Sequence, residues 1–427
     1  MKAFIILILI FFFKNALGLT IDDSVKSTIE NNKKVLMAFE KLNESKENIE
    51  NAIGKKLPII TGTISGTYSN SDNKAKTGDT TPETFTDKYK ITATQNLYDG
   101  GQKDLEIERS KLIYENEIIN FYNTVQNLSL TAIEGYLTVI NYEKSLIAIK
   151  NNYDSVSRFM EETKLKYELG SATITDVMNA ETAFAVAETN VYAAEQNYNV
   201  SLKTFKSIVG KEAINLEDFT NLNNDLSFDK VLSNIIINNF NILTSKNNIK
   251  IKTIELAKEK SSNKTSIDLT ASTEYSDSSR IDSGIESTNA SIGINISIPI
   301  FRQNIDKSNN RKINSQILQE EIFLDDLKDS LEIETSNYFK DYLIGISNLK
   351  ALKVKIKYAN ILLETTNEEY NLGTKSITDL INAETQLLEA NVEYFDANKN
   401  YLLNYFNLLA LDGSLIKLFE NYLPKLN

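Results

Sequence analysis

The side chains best placed for polar chemistry lie in two short segments that are near copies. Residues 166–182 read Lys-Tyr-Glu-Leu-Gly-Ser-Ala-Thr-Ile-Thr-Asp-Val-Met-Asn-Ala-Glu-Thr, and residues 369–385 read Glu-Tyr-Asn-Leu-Gly-Thr-Lys-Ser-Ile-Thr-Asp-Leu-Ile-Asn-Ala-Glu-Thr. In each, a Gly follows an apolar residue, then a Thr or Ser stands three residues before an Asp. That order ends one helix on a glycine and opens the next on a hydroxyl cap. Asp176 and Asp379 then sit in a first turn, where a carboxylate is favoured by the helix dipole. This is hydrogen-bonding and charge chemistry rather than catalysis. The chain contains no His and no Cys, which removes the commonest general base, the commonest metal ligand, thiolate nucleophiles, disulfides and a lipidated N-terminal Cys. No constellation suggests an enzyme, a metal site or a cofactor.

The two segments belong to a long internal repeat. From Tyr167 to Gly210 against Tyr370 to Gly413 the offset is 203 residues without gaps, with 15 identities in 44 positions. Tyr98 and Phe301 keep that offset. Upstream, Asp22 and Asp229, Asn31-Asn32 and Asn238-Asn239, and Tyr68 and Tyr275 match at 207. The change falls between Tyr68 and Ile91, in a stretch that reads as a loop, where added length is cheap. The expected organisation is a signal peptide at 1–18, a first structural repeat at 19–216, a linker at 217–228, a second repeat at 229–415 and a tail at 416–427.

Each repeat reads as helix, strand, loop, strand, long helix, return helix. Only 4 Pro and 15 Gly occur in 427 residues, so long uninterrupted elements are expected. The first helix is placed at 22–52, with its copy at 229–260. Long helices follow at 101–169 and 304–372, each about 100 Å at 1.5 Å per residue, with return helices to Gly210 and Gly413. The apolar stripe of the first return helix is drawn through Ile174, Val177, Met178, Phe184, Val191, Tyr198, Leu202, Phe205 and Val209. So slim a hairpin cannot bury its stripe alone and must pack against others.

Four segments alternate with period two, which predicts strands near 59–69, 87–98, 265–276 and 289–300. Ile60, Ile64 and Tyr68 share a face with Gly62 and Gly66, against Thr61, Thr63, Ser65 and Thr67. Tyr89, Ile91, Ala93 and Leu97 oppose Lys90, Thr92, Thr94 and Asn96. Ile267, Leu269, Ala271 and Tyr275 oppose hydroxyls and acids, and isoleucines at 292, 294, 296, 298 and 300 oppose Ser291, Gly293, Asn295, Ser297 and Pro299. Loops are expected at 70–86 and 276–289. Strands of about ten residues with one apolar face fit a transmembrane barrel; a half-buried soluble sandwich alternates in the same way. Four strands cannot close a barrel, for which about eight is the minimum.

The first residues bear on location. A basic start at Met1-Lys2, an apolar run at 3–13 and Ala16-Leu17-Gly18 fit a secretory signal cleaved after Gly18. The run is too short to span a bilayer as a helix, and no later run approaches 18 apolar residues. The net charge of −12 disfavours nucleic acid as a partner.

Leu-Gly-Ser-Ala-Thr-Ile-Thr-Asp-Val-Met-Asn-Ala-Glu-Thr and its second copy resemble the helical-hairpin tip of the TolC family of outer-membrane efflux proteins. Asn31-Asn32, Leu57-Pro58 leading into a strand, Leu97-Tyr98-Asp99-Gly100-Gly101 and Ile298-Pro299-Ile300-Phe301 resemble its other passages, in order and over nearly the whole mature chain. The resemblance implies an α+β membrane protein: a homotrimer whose 12-stranded β-barrel, four strands per chain, lies in outer-membrane lipid. That barrel would continue into a long α-helical barrel of antiparallel coiled-coil hairpins across the periplasm. A periplasmic adaptor and an inner-membrane ABC or proton-driven transporter would dock at the tip. The chain would then be a passive porin-like exit duct for efflux or type I secretion.

The resemblance also assigns residues. Thr175 and Asp176 match acceptors, and Tyr370 and Lys375 match donors, of a hydrogen-bonded ring that closes the periplasmic entrance. Lys375 stands where the family has an arginine, so bidentate pairing is lost. Asp379 matches a carboxylate facing the lumen constriction, and Asn382 replaces a second, leaving three carboxylates per trimer rather than six. Asn179, Asn382, Glu181 and Glu384 are expected in hairpin packing and solvated surface. Tyr89, Tyr98 and Tyr275 read as strand formers that can also line a membrane interface. Two other readings fit part of the chain: a secreted coiled-coil structural protein, which leaves the strands unexplained, and a periplasmic adaptor, whose soluble β-domains would show mixed cores.

Overall fold

The computed structural model describes residues 18–70, 73–75, 78–80, 83–219, 226–280 and 283–423. The expected signal peptide thus lies outside the described residues except for Gly18, as do 220–225 of the linker and 424–427 of the tail. In chain order the elements are α1 (Ile21–Asn31), α2 (Lys33–Gly54), β1 (Ile59–Asn70), a small ribbon of β2 (Asn73–Ala75) and β3 (Gly78–Thr80), β4 (Glu83–Tyr98), α3 (Gln102–Glu168) and α4 (Ile174–Val209). The second half holds α5 (Phe228–Asn238), α6 (Phe240–Ser261), β5 (Ser266–Arg280), β6 (Ser283–Ser297), α7 (Ile305–Asn371), α8 (Ile377–Leu411), α9 (Leu415–Leu418) and a 3₁₀ turn (Glu420–Tyr422). Two compact units emerge, one of residues 1–37, 122–240 and 328–427 and one of 38–121 and 241–327. Each draws on both sequence repeats.

The second unit holds the sheet. Its four long strands are antiparallel in the order β1-β4-β5-β6, so the two repeats meet along β4 and β5. Strict register carries the alternation across the whole sheet. Ile60, Ala93, Ala271 and Ile292 form one row, and Ile64, Tyr89, Tyr275 and Thr288 another, with the two tyrosine rings 6.2 Å apart. The opposite face carries Thr63, Lys90, Glu274 and Asn289 in a row, with Lys90 and Glu274 paired at 3.7 Å. Among the described residues nothing covers the apolar face: Ile64 is 78% exposed and Ile292 76%.

The strands run further than alternation alone suggests. β5 and β6 extend through the expected polar loop to Arg280 and Ser283, because hairpin pairing continues through Ser, Asp and Glu once the register is set. The apolar face is interrupted by a row of Gly66, Asp87, Asp277 and Glu286, beyond which Tyr68 and Phe85 continue it on β1 and β4 alone. From Tyr275 to Ile267 it spans eight residues, roughly 27 Å along the strand. At a tilt of about 35–45° that covers roughly 19–22 Å of height, a little short of the ~25 Å apolar band of a membrane barrel. A bulge between Asn96 and Tyr98 shifts the lower end of β4, setting Tyr98 opposite Ile267. β6 stops at Ser297, before Pro299, which cannot donate to a ladder.

The first unit is built on helix packing. α3 buries Phe121, Val125, Leu128, Ala132, Tyr136 and Val139, mostly within this unit, at the three-and-four spacing of a single helix face. α4 departs from the expected stripe. Ile174 and Met178 are exposed, and the seam is made of Val177, Ala180, Ala187, Ala194, Ser201, Phe205 and Val209. From Ala180 to Ser201 the buried residues recur every seven positions and are all small. Small side chains let helix backbones approach closely, so the close seam selects them and leaves the larger residues pointing outward.

The expected single helices at 22–52 and 229–260 are each broken in two. Asn32 and Asn239 take extended backbone conformations, with ψ 126° and 127°. Their side chains explain the breaks. Asn32 Nδ2 donates to the Ile208 carbonyl at 3.2 Å, and Asn239 Nδ2 donates to the Leu411 carbonyl at 2.9 Å. Each asparagine therefore satisfies an orphan carbonyl at the end of its own repeat's return helix. Replacing Asn239 with Ala should leave the Leu411 carbonyl unpaired and cost about 1–3 kcal/mol. Asn360→Ala, which loses a bond only to its own helix at Ile356, should be near neutral. Urea midpoints of the two variants in mild detergent check this.

Candidate functional site

The two hairpin turns lie in the first unit and repeat one geometry. Gly170 and Gly373 take left-handed conformations, φ 74° and 79°. The flanking bonds are Ser171 N to Lys166 O at 2.8 Å and Gly170 N to Tyr167 O at 2.9 Å. The second turn has Thr374 N to Glu369 O at 2.9 Å and Gly373 N to Tyr370 O at 3.0 Å. Both are Schellman endings, for which a residue without Cβ is best suited. Three residues on, each return helix opens with a reciprocal capping box. Asp176 N donates to Thr173 Oγ1 at 3.2 Å while Asp176 Oδ2 accepts from Thr173 N at 2.9 Å and from its hydroxyl at 2.7 Å. Asp379 does the same with Ser376, at 3.2, 3.0 and 2.8 Å.

Each residue assigned from the family resemblance has a definite place. Thr175 is exposed on the first turn of α4, beside Asp176 in its box. Tyr370 is half-buried against a small cluster of Ala180, Ile377 and Leu380, with Phe159, Met160, Leu363 and Ile381 around it. Lys166 Nζ stands 3.9 Å above the Tyr370 ring, a cation–π contact between the two repeats. Lys375 is exposed in the second turn, and Asn382 is exposed one turn into α8. Lys375 acts on Asp379: the Ser376 backbone and hydroxyl bonds, and then the Lys375 charge, hold that carboxyl below the usual carboxylate range. Within this chain the structure therefore joins Tyr370 to Lys166, while Asp176 is engaged by Thr173 and Asp379 by Ser376.

Other tip contacts escaped the sequence reading. Asn179 Nδ2 donates to Thr378 Oγ1 at 3.2 Å and ties the repeats together. Glu181 pairs with Lys164 at 2.8 Å on the surface. Glu384, expected partly on solvated surface, is buried at 7% exposure. The signal for these contacts lay in the positions where the repeats differ in charge: Lys164 faces Asn367 at the repeat offset, Lys166 faces Glu369, and Ala172 faces Lys375.

The tip is thus an array of hydroxyls, carboxylates and ammonium groups on rigid helix ends. It suits reversible hydrogen bonding and charge selection. No group of three or more acids able to hold a metal occurs among the described residues. No helix among them is long and apolar enough to cross a membrane.

Comparison with known proteins gives this arrangement its context. Residues 25–211 and 233–414 match the model of a family described as outer membrane efflux protein. The chain is 23% identical over 404 residues to Outer membrane protein TolC of Escherichia coli (strain K12), covering 88% of this chain and 77% of that one. It is 22% identical over 360 residues to Outer membrane efflux protein BepC of Brucella suis biovar 1 (strain 1330), covering 82% and 77%. In structure it is similar to the Campylobacter jejuni CmeC outer membrane channel, with a TM-score of 0.80 at 15% identity over 95% of this chain and 90% of that one.

The caps generate a pH prediction. Asp379 has a lowered carboxyl pKa, so its contribution is present above the ordinary aspartate range and lost as pH falls through the lowered value. Amide exchange of the first turn of α8 should accelerate beyond the intrinsic trend only under strong acid. Ser376→Ala should loosen that turn already at neutral pH, since losing such a cap costs about 0.5–2 kcal/mol.

Proposed function

The chain belongs to the outer membrane efflux protein family, and from that premise we propose that it is the outer-membrane exit duct of a tripartite efflux or type I secretion system, working as a homotrimer. It is an outer-membrane protein, as its relatives are. The observation that carries the trimer is the sheet. β1 and β6 are its outer strands, and each presents a row of unpaired backbone groups. An open edge does not survive in lipid, because no water is there to satisfy it. Three copies joined β6 to β1 make twelve strands with no edge. The exposed isoleucine face then turns to lipid, and the Lys90–Glu274 face lines the interior. The large apolar residues left outside the α4 seam supply the surface on which neighbouring hairpins close the helical part. A coiled-coil structural protein or an adaptor has no use for such a sheet.

On this reading the tip is the periplasmic entrance, where a periplasmic adaptor and an inner-membrane transporter of the ABC or proton-driven kind engage. Thr175 and Asp176 of one hairpin meet Lys375 and Tyr370 of a neighbouring one in the resting state. The capping boxes leave Asp176 Oδ1 and the Thr175 hydroxyl available for such bonds. An exposed ion pair is worth about 0–1 kcal/mol, so a threefold set holds the entrance by a few kcal/mol at most. A docking partner can overcome that. Asp379, as a ring of three beside Asn382, favours cations at the constriction.

Three measurements test the proposal. Light scattering in mild detergent should give a trimer, and a monomer would overturn the closure. Ile294→Lys should impair assembly strongly, since a charge at the bilayer midplane costs roughly 2–4 kcal/mol on a barrel's outer face. Asn295→Lys, on the other face opposite Asp268, should assemble. In planar bilayers, Lys375→Ala with Tyr370→Phe should raise single-channel conductance, and Asp379→Ala should lower cation preference, most visibly at low salt, where screening reaches about 30 Å. A double variant that conducts like the parent removes these residues from the gate.

A further inference from the structure

Glu181 and Glu384 hold the same position in the two repeats, yet their surroundings differ. Glu181 is at the surface with Lys164 as its partner. At the repeat offset, Asn367 replaces that lysine, and Glu384 turns inward. It lies about one and a half turns beyond Asp379 on α8, 7% exposed, where its carboxylate accepts a bond from Ser155 of α3. Burial pushes its carboxyl above the usual range, and the Ser155 bond and the Arg158 charge offset only part of that. Arg158 itself is exposed and reaches Ser155 Oγ at 3.4 Å.

Two cavities meet at this side chain. One, of about 530 Å³, is lined by Ser155, Arg158 and Glu162 of α3 and by Asn360 and Glu364 of α7. The other, of about 280 Å³, is lined by Lys144, Asn151 and Asn152 of α3 and by Asn391 of α8. Asn152 is 6% exposed, and its Nδ2 is a buried donor without a hydrogen-bond partner. The charged groups facing Glu384 are thus Arg158, Glu162 and Lys144 from α3 and Glu364 from α7. Two of these are carboxylates, and the one cation in contact distance of its hydroxyl relay is at the surface. Arg158, Glu162 and Glu364 are all exposed and Lys144 is paired with Asp218 at 2.6 Å, so an ionised Glu384 would be a buried charge with no buried cation among the described residues to neutralise it.

We propose that Glu384 is a proton-operated contact of the α3–α8 junction: neutral, it keeps the two helices closed behind the hairpin tip, and ionised, it loosens them. The same stretch of α8 supplies Ile377 and Leu380 to the cluster that seats Tyr370, so the loosening reaches the tip. The inference needs no transport function, because its readouts are the protein's own stability and exchange. The sign follows from the direction of the shift. A carboxyl that holds its proton more tightly when folded contributes its stabilisation fully below the ordinary glutamate range. That contribution is lost as pH rises through the raised value.

The test compares the full-length protein in detergent with Glu384→Gln, which keeps the size and stays neutral. Below the ordinary glutamate range, at about pH 3.5, the two should melt alike, since the carboxyl is then largely protonated in both folded and unfolded chains. As pH rises to about 8 the melting temperature of the parent should fall relative to Glu384→Gln. Glu181→Gln should keep the parent's slope. Parallel slopes for parent and Glu384→Gln overturn the proposal, and so does a slope lost equally in Glu181→Gln. If Glu384→Gln does not assemble, amide exchange of the parent decides. Protection across 150–162 and 380–391, corrected for the intrinsic rate, should fall as pH rises, and constant protection overturns the proposal.

Discussion

Every backbone donor and acceptor placed in lipid must find a partner in protein, and the rest of this structure is arranged around that constraint. One chain offers a four-stranded sheet with two open edges and an uncovered isoleucine face. The open edges are not tolerable in lipid, and the uncovered isoleucine face is not tolerable in water. On the proposed reading the sheet is a fragment of a larger closed surface. The register that aligns Ile60, Ala93, Ala271 and Ile292 across all four strands gives the fragment two consistent faces, so copies can be joined edge to edge without mixing them.

The helical part answers a related demand. Between its buried ends at Val177 and Phe205, α4 puts only small residues, Ala180, Ala187, Ala194 and Ser201, into its seam. The larger residues, Met178, Val186, Tyr192 and Val200 among them, stay exposed. The hairpin is stiff because each end is closed by backbone-satisfying devices: glycines in left-handed conformations, capping boxes, and asparagines that reach the carbonyls of α4 and α8.

Duplication explains how one chain supplies both symmetry and difference. The two turns share their caps to within about 0.2 Å, because the hydroxyl–x–x–Asp spacing is the same. Charge differs at selected positions. The tyrosine is shared, as Tyr167 and Tyr370, but Lys166 has Glu369 as its counterpart, so the cation–π contact forms on Tyr370, and Glu181 and Glu384 part company because Lys164 has no counterpart. The shared residues build the hairpin, and the unshared ones distinguish its two copies.

Much of this was legible in the chain itself. Alternation with period two located the four strands, because a two-faced strand writes its faces into every second residue. Scarce Pro and Gly marked the long helices, and the repeated Gly and Asp marked the hairpin turns, because caps are local and need only neighbours. The missed features are all long-range. The breaks at Asn32 and Asn239 depend on carbonyls 176 and 172 residues away, which no local propensity contains. The extension of β5 and β6 depends on a partner strand, and the choice of alanines over larger residues for the α4 seam depends on how closely another helix approaches. Glu384 reads as a surface acid until the missing lysine and the neighbouring α3 are placed around it. Local spacing determines which elements form and where they end; only tertiary packing decides which side chains lose water, and with it the cost of their charge.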